Sequence, residues 1–257
     1  MNEQRYPFFE RLHVLRTEAL TSIRDRAFDL MPLYCVDFGD GILTGCQLTT
    51  NRDSISIGTG IIKFNNFLYL LKEPMSLPYQ PTDKYTFMKI KFDVPEESET
   101  FIERKFDLFF SEDEKLQSDE IELCRFKLNK GAMLRSKYVD FADRVTEYDT
   151  VNEIYRPHAA PGGSTIAPQI LQDFVKEIFD FAIEPIDFTF CMVVMSGSLA
   201  TQEQISFYLM HKLKLPKFEW SNETVYKYFL KVIEEIKGNG EREINRARRG
   251  KREIIVD

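Results

Sequence analysis

The sequence predicts an α+β protein: an N-terminal amphipathic helix, an antiparallel β-sandwich or open-barrel-like region, then a small C-terminal helical region. Three observations predict it. Apolar residues recur every three or four positions over 8–30, alternate with polar ones through much of 33–128, and return to helical spacing beyond 165. These changes of period divide the chain into a helix at 1–32, a β-rich domain at 33–130, a linker at 131–160, a helical domain at 161–237 and a mobile tail of mixed charge at 238–257.

The first helix carries Leu12, Leu15, Ala19, Ile23, Ala27 and Leu30 on one stripe, with Glu10, Arg11, Glu18, Arg24 and Asp25 on other faces. Pro7 suits its start and Pro32 its end. The stretch from Gly41 to Leu71 then reads as a meander of hairpins. Asn51, Arg52 and Asp53 break it, Gly58 and Gly60 break it again, and Asn65 with Asn66 reverses it between two apolar runs. In Tyr85 to Phe92, Met88, Ile90 and Phe92 share one face while Lys89 and Lys91 share the other, as in a half-solvated strand. The same alternation is expected over Phe101 to Phe109 and Ile121 to Leu128. Pro74, Pro78 and Pro81 confine their segment to a connection or a sheet edge. The acidic runs at 95–99 and 111–120 read as solvated hairpin tips.

In the helical domain Ile170, Leu171, Phe174, Ile178 and Phe181 form an apolar stripe. Thr201 with Gln204 fits a capping box, Ser221 or Asn222 caps the next helix, and Gly238 is placed to close it. Trp220 just before that cap reads as a packing anchor.

A chain of 257 residues with 22 Phe and 11 Tyr has the material for a large core. Its formal net charge of −7 argues against a general nucleic-acid binder, and the one basic cluster, Arg246 to Arg252, is flanked by Glu241, Glu243 and Glu253. Cys35, Cys46, Cys124 and Cys191 are widely spaced among apolar residues and are expected to be reduced and buried. The N-terminus lacks the pattern of a secretory signal and no apolar run reaches membrane-spanning length, so synthesis and retention in the cytoplasm are expected, with no membrane insertion.

No catalytic constellation emerges. Gly162, Gly163, Ser164 and Thr165 lack the lysine of a phosphate loop and read as a flexible joint with a helix cap. His158 could serve Ser164 as a base, but the segment lacks the strained elbow that presents a serine nucleophile. His13, His158 and His211 are scattered without metal-ligand spacing, and Asp107, Asp113 and Glu120 have no argued cleft for magnesium. The expectation is no enzymatic activity, no cofactor and no metal.

Gly39-Asp-Gly-Ile-Leu-Thr-Gly-Cys46, followed by Ile55 to Ile62 and Phe67 to Leu70, resembles a module of tail-fibre and baseplate proteins of tailed phages and prophages. In that module a glycine-punctuated turn leads into alternating strands and a short hairpin. Arg156 to Pro168 looks like the continuation of an uncharacterised prophage-encoded family. The resemblance implies a virion-associated structural protein that docks on other tail or baseplate proteins and on copies of itself, with a trimer favoured. It supplies no catalytic residue. The candidate interface comprises Phe8, Phe9, Leu12, Leu15 and Ile23. The rival readings are an enzyme acting on nucleic acid or carbohydrate, and an adaptor that uses its helical half as a docking groove.

Overall fold

The computed structural model describes residues 7–11, 14, 16–98, 101–197 and 199–250. The α+β class is as expected, with an N-terminal helix, several antiparallel sheets and C-terminal helices. Helix α1 spans Thr17–Tyr34, which corrects the expected 8–30. Residues 7–10 are irregular, Arg16 is still extended at φ −92° and ψ 145°, and Pro32 sits inside the last turn. A proline there lacks the N–H that would bond Phe28 O. The turn still closes through Cys35 N–H to Met31 O at 3.0 Å.

The strands are β1 Gly41–Gly45, β2 Leu48–Thr50, β3 Ser54–Ile57, β4 Gly60–Phe64, β5 Phe67–Leu71, β6 Met75–Pro78, β7 Tyr85–Phe92, β8 Glu96–Glu97, β9 Ile102–Glu103, β10 Phe106–Ser111, β11 Glu120–Lys127, β12 His158–Ala160 and β13 Gly163–Thr165. They form a five-stranded sheet in the order β13-β12-β1-β4-β5, three-stranded sheets β10-β7-β11 and β2-β3-β6, and the hairpin β8-β9. Before the first expected break at Asn51 the chain already turns at Gly45 and Cys46, whose φ values of +69° and +54° lead it out of one sheet and into the next. That corner fits only because Gly60 opposes it: a Cβ there would lie 2.4 Å from Thr44 O and 2.5 Å from Cys46 N.

Asn65 and Asn66 form the expected two-residue reversal between β4 and β5, with φ of +46° and +64°. Pro78 lies on edge strand β6, paired with Ser54, as its missing donor requires. Met88, Ile90 and Phe92 of β7 are buried, and each contributes about 1.5–3 kcal/mol by leaving water. Lys89 departs from the alternation rule. It is 2% exposed, because the loop at 112–119 folds over it and its Nζ donates to Lys115 O at 2.7 Å and Glu120 Oε2 at 3.3 Å. The expected strand from Phe101 to Phe109 is interrupted at Arg104 and Lys105, where the chain leaves the β8-β9 hairpin for β10.

The glycine segment read as a flexible joint is instead the tip and second strand of a hairpin. His158 pairs with Thr165, Ala159 with Ser164 and Ala160 with Gly163, and β12 runs parallel to β1 through Ile42 and His158. The segment before it is tied into both cores. Leu134 and Val151 pack with the strands, whereas Phe141 and Ile154 pack with the helices. A short 3-10 turn at Ala142–Val145 lies between, held by Arg135 on Asp143 at 2.5 and 2.6 Å.

Four helices complete the chain: α2 Pro168–Ile178, α3 Pro185–Met195, α4 Gln202–Leu213 and α5 Asn222–Gly250. Thr201 and Gln204 make the expected capping box on α4, and Ser221 Oγ accepts from Thr224 N–H at 3.1 Å at the start of α5. Their core centres on Phe174, whose ring meets Phe141, Phe190, Tyr208 and Phe229. Helix α5 passes through Gly238, the expected stop, because the Glu, Arg and Ala residues that follow favour helix more than one glycine opposes it. The rest of the expected tail, 251–257, lies outside the described residues. All four cysteines are buried, as expected, and carry free thiols.

Candidate docking surface

Helix α1 leaves most of its side chains in water although the sequence gives it a strong apolar complement. Leu20, Ile23, Phe28, Leu30, Met31, Leu33 and Tyr34 are all exposed, Ile23 by 46% and Leu30 by 64%. Leu20, Ile23, Ala27, Leu30 and Tyr34 follow steps of three, four, three and four, the spacing of a helix that packs on another helix along a narrow seam. Arg24 and Asp25 pair with each other on the surface.

The root of α1 is firmly held. Cys35 is buried there, and burial raises its thiol pKa against the lowering effect of Lys63. Phe38 bridges to Pro161, and buried Lys63 donates to Phe38 O at 2.7 Å with Asp40 Oδ1 at 3.6 Å. The same Asp40 carboxylate accepts the backbone N–H of Asn65 at 3.1 Å. Beyond this anchor α1 leans on β5, whose Leu70 is itself exposed. A rigid base with a solvated apolar helix above it is a geometry for docking.

Of the expected interface residues, Phe8, Phe9 and Ile23 are exposed, with only Ile23 inside α1, while Leu12 and Leu15 lie outside the described residues. The seam therefore runs further toward Tyr34 than the expected stripe. It shares Ile23, Ala27 and Leu30 with that stripe and adds Tyr34, which reading Pro32 as a terminator left out.

The imagined serine-histidine pair is not assembled. Ser164 is registered with Ala159, so the pleat sends His158 and Ser164 to opposite faces, and Ser164 Oγ donates to Asp40 O at 2.5 Å. His158 is buried, and desolvation followed by the Arg156 charge pushes its pKa down to about 3. Glu120 is committed to Lys89 and to the N–H of Gln117, and Asp113 to the N–H of Lys115. Among the described residues, no group of three or more His, Cys, Asp or Glu side chains is placed to hold a metal ion, and no helix is long and apolar enough to cross a membrane. His211 lies on α4 beside Phe207 O at 2.9 Å, and His13 lies outside the described residues.

No family model and no curated protein matches the chain. Among solved structures it is similar to TssK, at 8% identity and a TM-score of 0.37 over 93% of this chain and 72% of that one. It is also similar to a chain of the type VI secretion system TssK-TssF-TssG baseplate subcomplex, at 6% identity and a TM-score of 0.39 over 90% of this chain and 100% of that one. A chain of the baseplate complex from the type VI secretion system gives 7% identity and a TM-score of 0.36, again over 90% and 100%. Likeness at this level leaves the functional reading to the geometry of the chain itself.

Proposed function

We propose that this protein is a non-catalytic structural component of a phage or prophage tail or baseplate, associated with the virion, and that it works by docking as a homo-oligomer on other tail or baseplate proteins. The observation that carries the reading is α1, a solvated helix with an apolar seam on a pinned base. The motif resemblance from Gly39 to Leu70 supplies the setting. Eighteen residues give a helix of about 27 Å, long enough for two and a half heptads of contact. A second copy of the same helix is the occupant that matches its spacing, since the seam repeats every seven residues and is complementary to itself.

The steps place Leu20, Ala27 and Tyr34 at one core position and Ile23 and Leu30 at the other. Only the Leu20 and Ile23 layer carries the leucine-isoleucine pair that favours three or four strands, and the trimer rests on the motif resemblance. Light scattering on the purified chain tests this. A trimer at tens of micromolar that becomes monomeric in an Ile23→Glu/Leu30→Glu variant, with an unchanged far-ultraviolet spectrum, is the expected result. A wild-type monomer at that concentration would defeat the proposal.

A further inference from the structure

Helix α3 is apolar on nearly every side. Asp187 is its one charged residue and is buried, while Phe188, Met192 and Met195 are exposed, Met195 by 65%. A helix apolar all round belongs inside a larger structure, so its outer side calls for a cover. Between α3 and α4 runs an apolar groove of about 630 Å³, lined by Ile186, Phe190, Val193, Phe207 and Tyr208. Carboxylates stand at its rim. Glu203 is exposed and has no ion pair among the described residues, and Glu184, next to Pro185 of the lining, shares Lys212 with Asp187.

The chain itself holds a segment of matching character. Residues 251–257, Lys-Arg-Glu-Ile-Ile-Val-Asp, lie outside the described residues and place three β-branched apolar residues shortly after two cations. Over 238–250 the sequence offers only Ile244 and Ala247 as apolar side chains, so 254–256 is the one apolar run beyond the last core residue, Ile236. β-Branched residues favour an extended backbone, in which Arg252, Ile254 and Val256 share a face. With Ile254 and Val256 in the groove, Arg252 comes to its rim, where the carboxylates stand.

Reach decides whose groove is filled. Helix α5 leaves the core where Lys237 pairs with Glu177 and lies over the Phe181 ring, four residues before α3 starts at Pro185. It then runs on through 238–250, a length of about 20 Å. Seven extended residues span at most about 24 Å, so in its own chain the segment would spend most of its length returning to the mouth of the groove. We infer that the α3–α4 groove receives residues 251–257 of a second copy, with Ile254 and Val256 inside and Arg252 against Glu203. The inference rests on the homo-oligomer reading, because a contact of seven residues is weak alone and copies already joined at α1 present it at high effective concentration.

Fluorescence anisotropy tests it, with a labelled peptide of residues 251–257 titrated with the full chain carrying Ile254→Asp/Val256→Asp, whose own segment no longer competes. Saturable binding is expected, and none with a scrambled peptide of the same composition or with a peptide of residues 17–34. Phe207 is 59% exposed, so Phe207→Glu in that chain should weaken binding at least tenfold while leaving the unfolding midpoint in place. Glu203→Lys should weaken it about twofold to fivefold, the worth of an exposed ion pair. No saturable binding, equal binding of either control peptide, or unchanged affinity in either variant would each overturn the inference. Light scattering keeps the two readings apart. Ile254→Asp/Val256→Asp should remain a trimer because α1 holds the copies, so a failed peptide titration leaves the α1 assembly standing, and a wild-type monomer defeats the assembly reading while the titration still reports on the groove.

Discussion

Asp187 is the side chain whose loss should cost this fold most for its size. It is 0% exposed at the start of α3, accepts from Tyr208 Oη at 2.9 Å and Lys212 Nζ at 2.8 Å, and also accepts the backbone N–H of Glu184 at 3.0 Å. One carboxylate thus closes a capping box, satisfies a buried phenol and neutralises a buried ammonium. In Asp187→Ala the cap alone is worth about 1 kcal/mol, and stranding the partner of a buried ion pair costs about 3–5 kcal/mol. Lys212 keeps Glu184 Oε2 at 3.1 Å, whose side chain is 63% exposed, so part of the charge remains answered. The net expectation is about 3–4 kcal/mol, or roughly 10 °C in unfolding midpoint for a chain of this size. Urea denaturation followed by helical circular dichroism measures it. The companion variant Asp187→Ala/Lys212→Met should be more stable than Asp187→Ala alone, because it no longer buries an unpaired ammonium. A loss below about 1 kcal/mol, or a double variant less stable than the single one, would refute the reasoning.

Three further outcomes are expected. His158 has its folded pKa depressed to about 3 against 6.5 unfolded, so its contribution is complete above pH 6.5 and is lost as pH falls toward 3. Urea midpoints should fall by the equivalent of about 2 kcal/mol between pH 7 and pH 5, and His158→Phe should flatten that slope. At the β4–β5 reversal, Asn66→Gly should hold or raise the melting temperature, whereas Asn66→Val should cost about 1–2 kcal/mol by forcing a branched side chain into positive φ. Lys89→Met should leave Lys115 O without its donor and Glu120 with only the N–H of Gln117, cost about 1–3 kcal/mol in urea, and speed tryptic cleavage after Lys115.

The features legible in the sequence lie at short range. The apolar stripe of α2, the capping box at Thr201 and Gln204, the alternation of Met88, Ile90 and Phe92, and the asparagine reversal at 65–66 each follow from residues within a turn or two of one another. Of α1, Ile23 and Leu30 were legible for the same reason, while its C-terminal bound was misread because one proline in a last turn is weaker than the sum of the turns before it. The rest came from packing between distant segments. Whether Lys89 faces water depends on a loop more than twenty residues further along folding back over it. Whether Gly163 to Thr165 is a joint or a strand depends on β12 finding β1, a parallel pairing of His158 with Ile42 that no local period encodes. The buried arginines are the extreme case. Arg144 and Arg156 are ordinary in sequence, and only long-range packing buries the first against Asp173 and brings the second to Cys46 O, 110 residues away. Local chemistry fixes which conformations a segment prefers, and long-range packing fixes which polar groups lose their water.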